Sequence, residues 1–153
     1  MATRDADATI AEQRRTIEEM DTPVIQVWDG VLALPLIGSV DTRRAQAMNE
    51  KLLERIVETG SEIVLVDISG VPVVDTAVSR HLLETVAAAR LLGAEVIIVG
   101  LNARTAMTLV QLGESLRGVT TRTTMAKGLE LAFRQLGLAV VKKDAVASPG
   151  ESL

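Results

Sequence analysis

A chain of 153 residues, 48% of them apolar and almost wholly aliphatic, is long enough for one domain with a sizeable core. A net charge of −4 and only two aromatics, Trp28 and Phe133, argue against a nucleic-acid partner, which calls for a basic surface and stacking rings. With no cysteine and a single histidine, His81, a disulfide framework and a thiolate or histidine-built metal centre are both excluded.

Residues 1–22 form the first expected element, an amphipathic linker helix. Ile10, Ile17 and Met20 recur at heptad-like spacing among charged residues. Such a helix is too short to be stable alone: it lies on its own domain or pairs with another chain or an upstream domain, and self-association is the outcome to test. Its N-terminus is polar, with no signal-peptide run. Thr22-Pro23 ends the arm, because the residue before proline is pushed towards extended geometry.

The domain proper is expected over residues 23–138, followed by a flexible tail over 139–153. Residues 24–28, the turn Asp29-Gly30 and residues 31–38 read as a β-hairpin, with Pro35 signalling an edge or a bulge. The run over 31–38 is also the longest apolar stretch, far short of the roughly 20 residues a membrane span needs. No membrane partner is therefore expected, and the expected location is the cytoplasm. "SVDT" opens a helix at about Asp41; Ala45, Met48, Leu52 and Ile56 make its apolar stripe, and Gly60 closes it.

Residues 62–68 are a near-continuous apolar run, as for a strand buried on both faces. After "SGVPVVD" comes a helix with Val78, Leu82, Val86 and Ala89 on one side, ending at Gly93. Residues 94–100 form another buried strand, "NARTAMTLVQLG" a short helix stopped by Gly113, and "VTTRT" a short strand. A last helix carries Met125, Leu129, Ala132 and Leu136 on one stripe. The order β-β-α-β-α-β-α-β-α implies right-handed crossovers and a mostly parallel sheet.

Asp75, Thr76 and His81 contain the residue types of a hydrolytic triad, but not its spacing. On a helix Thr76 and His81 point roughly 140° apart, and Asp75 and His81 roughly 120° apart in the other sense. Nucleophile-elbow and phosphate-loop motifs are absent, so no catalytic group and no cofactor are expected. Asp41, Asp67 and Asp75 near strand ends raise Mg²⁺, yet helix capping accounts for Asp41 and Asp75, and no metal is expected. Thr76 has two even readings. It is a first-turn residue helping to satisfy a free amide, or an exposed hydroxyl open to a kinase. A phosphate there would sit at the positive end of the helix dipole, within reach of Arg80 one turn on.

"TPVIQVWDG", "LPLIGSVDT", "DISGVPVVDTAV" and "LLGAEVIIVG" together resemble a STAS domain, and more narrowly the C-terminal STAS domain of RsbR-type stressosome scaffold proteins. The resemblance runs from about Thr22 to Leu136 without large gaps. It implies the STAS (SpoIIAA-like) α/β fold, a mostly parallel mixed sheet packed with about four helices. It further implies phosphorylation of the hydroxyl residue after Asp, here Thr76, and of a second threonine in the following helix, Thr108 with Thr105 as the alternative. Asp41, Asp75, Thr76 and Arg80 would face the partners.

The implied partners are an RsbS-like STAS protein, an RsbT-like serine/threonine kinase and a PP2C-type phosphatase, with a homodimer inside a large assembly. The implied work is non-enzymatic: sequestering the kinase until threonine phosphorylation releases it into a stress-signalling pathway. RsbR-type proteins carry a sensor domain before the STAS part. Here only the arm precedes it, as in an isolated portion or a paralogue that scaffolds without sensing. RsbS-type subunits usually have Ser at the switch position, so Thr76 favours the RsbR side. Two alternatives remain: a stand-alone anti-anti-sigma factor binding its kinase directly, and a sensor holding a small ligand in the strand-end crevice.

Overall fold

The computed structural model describes residues 23–111 and 118–146. The arm over 1–22, Gly113 and residues 147–153 of the tail lie outside them. The Asp29-Gly30 turn folds β1 (Ile25–Trp28) back on β2 (Val31–Ile37) as an antiparallel pair, with Ile25 opposite Ala33 and Trp28 opposite Val31. That ladder ends before Pro35, where the missing N–H would otherwise break it. On its other side β2 runs parallel to β3 (Ile63–Gly70), and their register shifts between Pro35 and Ile37. The proline is tolerated because one neighbour has stopped and the other bulges.

β4 (Glu95–Val99) and the two-residue β5 (Thr120–Thr121) extend the sheet in parallel, in the order β1-β2-β3-β4-β5. Helices α1 (Thr42–Thr59), α2 (Thr76–Leu91) and α3 (Ala103–Gln111) are the crossovers, and α4 (Met125–Gln135) follows the last strand. A single turn, α5 (Lys143–Val146), lies in the tail.

Strand side chains alternate between two cores. Leu32, Leu34, Leu36, Val64, Val66, Ile68, Val96 and Ile98 point to one face, where α1 and α2 lay down the stripes expected from their periodicity, joined by Leu109 of α3. Val31, Ala33, Ile63, Leu65, Ile97 and Val99 point to the other, covered by Ala132, Met125, Leu129, Leu131 and Leu136 of α4 and the residue following it. This double coverage is why the central strands read as unbroken apolar runs. α1 and α2 are also tied by a buried polar contact, with Thr85 Oγ 2.6 Å from Asn49 Oδ1.

The strand ends beneath the helix starts are held tightly. Gly38 donates to the Gly70 carbonyl at 2.8 Å, and Asp67 Oδ1 accepts from the Ser69 amide at 2.9 Å. Gly100 sits against that Asp67–Ser69 turn with φ +84°. A Cβ there would fall 2.6 Å from the Ser69 nitrogen and collide with the Asp67 carboxylate, so both backbone and space require glycine. This clamp fixes where α2 and α3 begin.

Candidate functional site

The site grows out of the loop between β3 and α2. Val71 and Val74 are buried and anchor the loop, whereas Val73 between them is 65% exposed. Asp75 then takes an extended conformation, φ −106° and ψ −171°, and caps α2: its Oδ1 accepts from the Val78 amide at 2.9 Å. Thr76, the first residue of the helix, is exposed, and its hydroxyl makes no hydrogen bond among the described residues. Of the two readings of Thr76, the amide-satisfying one is thus filled by Asp75.

α3 starts from the neighbouring strand end in the same way. Asn102 Oδ1 accepts from the Thr105 amide at 2.8 Å, and its carbonyl from Ala106 at 2.9 Å. One turn on, the Thr108 hydroxyl donates to the Arg104 carbonyl at 3.0 Å. Between the two helix starts lies a cleft of about 390 Å³, walled by the loop 71–74, Asp75 and Thr76 on one side and by Asn102, Arg104, Thr105 and Thr108 on the other. Thr76, Thr105 and Thr108 therefore share one cleft, although 29 and 32 residues separate Thr76 from the other two.

Two residues expected at a partner surface lie outside this cleft. Asp41 caps α1, accepting from the Arg44 amide at 2.8 Å. Arg80 is exposed on α2, one turn beyond Thr76, and has no ion pair among the described residues. His81 is mostly buried; its Nδ1 faces Glu84 Oε2 at 3.9 Å. Each of Asp41, Asp67 and Asp75 is engaged by a backbone amide. Among the described residues no three acidic or imidazole groups come together, and no helix is long and apolar enough to cross a membrane.

Arg104 is the residue that sequence reading missed. Its only sequence signal was its position just after the Asn102 cap, at a strand end neighbouring that of Thr76. A second cavity, about 560 Å³, opens on the far side of Asn102 between the starts of α3 and α4, with Arg122 and Lys127 on its wall.

Removing the cap has a defined cost. Asp75→Ala leaves the Val78 amide without its acceptor, so the domain should lose about 1 kcal/mol. Chemical denaturation should show this as a lower midpoint at unchanged slope.

A mixed five-stranded sheet, with α1 and α2 on one face and α4 on the other, and an Asp-capped helix start beside an exposed hydroxyl define an α/β domain of the STAS type. The chain belongs to the STAS domain family, whose model matches residues 22–127. It is similar to the RsbT co-antagonist protein RsbRA of Bacillus subtilis (strain 168), at 37% identity over 135 residues that take in 88% of this chain and 49% of the relative. The chain spans about half the length of the curated relatives it matches.

Among solved structures, a substituted form of Moorella thermoacetica RsbS superposes with a TM-score of 0.66 at 29% identity, covering 76% of this chain and 98% of that one. A chain from the molecular architecture of the stressosome, described as a signal integration and transduction hub, gives a TM-score of 0.60 at 30% identity, covering 75% and 98%. The STAS fold and the likeness to RsbR co-antagonists, both expected from the sequence, are borne out.

Proposed function

We propose that this chain is a non-enzymatic STAS regulator of the RsbR type, working as a stressosome component. It packs with RsbS-like STAS partners in a large assembly and helps to sequester an RsbT-like serine/threonine kinase. Phosphorylation at Thr76 or Thr108 lowers the affinity for the kinase and frees it, and a PP2C-type phosphatase resets the surface. The observation that carries this reading is the exposed Thr76 hydroxyl at the capped start of α2, in one cleft with Thr108. The similarity to RsbT co-antagonist RsbRA supports it.

Physical chemistry makes this place suited to a phosphate switch. A phosphothreonine adds about −1.5 to −2 charges. Near the first turn of a helix that charge meets unpaired amides and the positive end of the dipole, so the fold tolerates it. The change is then one of surface charge, beside an exposed Val73 on the same loop. A docking partner that covers the loop meets a different surface before and after modification.

The test is to mix the full chain with an RsbS-like STAS protein and follow size by sedimentation velocity. A particle many times the mass of either protein is expected. If the mixture yields only small complexes, and the chain instead binds an anti-sigma kinase alone, the stand-alone anti-anti-sigma reading replaces this one.

A further inference from the structure

We propose that Arg104 is the receptor for the phosphate on Thr76, so that modification ties the start of α2 to the start of α3. The proposal rests on the phospho-switch reading above and adds the group that answers the new charge. Among the described residues, only two charged side chains line the cleft, Asp75 and Arg104. Asp75 cannot welcome a phosphate: it is acidic, it is the immediate neighbour of Thr76, and its Oδ1 is committed to the Val78 amide. The free amides and dipole at the start of α2 make a phosphate tolerable there, but its like-charge repulsion with Asp75 still favours a cation beside it.

Arg104 stands on the opposite wall, exposed, with no ion pair or side-chain hydrogen bond among the described residues. A guanidinium is always charged and matches phosphate oxygens two at a time, which makes it the natural answer to a dianion across a gap. The backbone on that wall is fixed, because the Asn102 cap and the Thr108–Arg104 bond hold the first turns of α3.

Arg80 is the rival cation and differs in consequence. It lies on α2 itself, one turn from Thr76, and does not line the cleft. Pairing with Arg80 would be local to one helix and would leave the cleft open. Pairing with Arg104 bridges two elements, narrows the cleft and draws the phosphate towards Thr105 and Thr108. A phosphate at Thr76 would then occupy the space through which a kinase must approach the second acceptor.

The test uses the full chain with phosphothreonine installed at position 76 by genetically encoded incorporation, so it does not depend on any kinase. The phosphate's proton affinity is read by phosphorus NMR titration. A nearby guanidinium favours the dianion, so Arg104→Gln should raise that affinity about three- to tenfold. Arg104→Lys should recover part of the difference, and Arg80→Gln should leave it unchanged. If Arg80→Gln moves the titration and Arg104→Gln does not, the receptor is Arg80 and the proposal is wrong. Should neither move it, the phosphate is free in solvent and the bridge does not exist. Failure of a cognate kinase to label Thr76 would instead strike the phospho-switch reading and leave this titration as it stands.

Discussion

Gly128→Ala should lower the melting temperature of this domain by several degrees, although alanine is the better helix former. Gly128 is the fourth residue of α4, buried against the sheet. A Cβ added there would collide with Val99 Cγ1 and stand 3.2 Å from Leu65 Cδ2. Propensity alone favours the substitution by about 1 kcal/mol. Overpacking a formed core costs about 1–3 kcal/mol or more. The second effect wins here because Val99 and Leu65 belong to central strands paired on both sides, and Val99 is β-branched and stiff at χ1. α4 must therefore lift from the sheet. Gly128→Val should be worse still. Thermal unfolding followed by circular dichroism decides the matter; a rise in melting temperature for Gly128→Ala would mean that the helix does not lie this close.

The second large effect concerns modification. If the proposed function holds, Thr76→Ala is expected to remove most of the phosphate that an RsbT-like kinase incorporates, leaving Thr108 as the minor acceptor. Exposure sets that ranking: Thr76 is exposed and its hydroxyl unengaged among the described residues, whereas Thr108 is half-buried and its hydroxyl is bonded to the Arg104 carbonyl. Stability should barely move. The Asp75 cap remains, no hydrogen bond is removed, and alanine suits a helix slightly better than threonine. Mass-spectrometric mapping after kinase treatment, beside a melting curve, reads both halves. Equal labelling of Thr76→Ala and the parent chain, or label on neither threonine, would sink the assignment. Thr76→Glu is a poorer probe, since one carboxylate carries less charge and fewer acceptor oxygens than a phosphate.

What could be read from the sequence was whatever local periodicity and capping chemistry control. Asp41 and Asp75 are helix caps because each precedes an apolar stripe of helical period, and both do that work in the structure. Ala45, Met48, Leu52 and Ile56 bury together for the same reason. Pro35 announced an irregularity, and a register shift follows it.

Periodicity is silent on which face of the sheet a stripe covers, so the α4 residues Leu129 and Ala132 looked no different from those of α1. Nothing in the local sequence marks the need for glycine at position 128, because that need lies in Val99, on another element. The candidate site divides in the same way. Thr76 was marked by its own neighbours, whereas Arg104 lines the same cleft because β3 and β4 are adjacent and parallel, and so deliver two helix starts to one edge. Arg80, chosen by its position on the same helix, lies outside the cleft for lack of that information.

The sheet's spatial order is also its order of translation, and this bears on the birth of the molecule. Each parallel strand emerges from the ribosome beside a neighbour already present, and the crossovers α1 and α2 can sheath one side as they appear. Among the described residues, the other side has no such escort. Val31, Ala33, Ile63, Leu65, Ile97 and Val99 wait for a lid that is synthesised only after all five strands. Until the ribosome has passed Leu136, the nascent chain carries a bare aliphatic plane, which is the kind of surface that holdase chaperones grasp and that glues unfinished chains to one another.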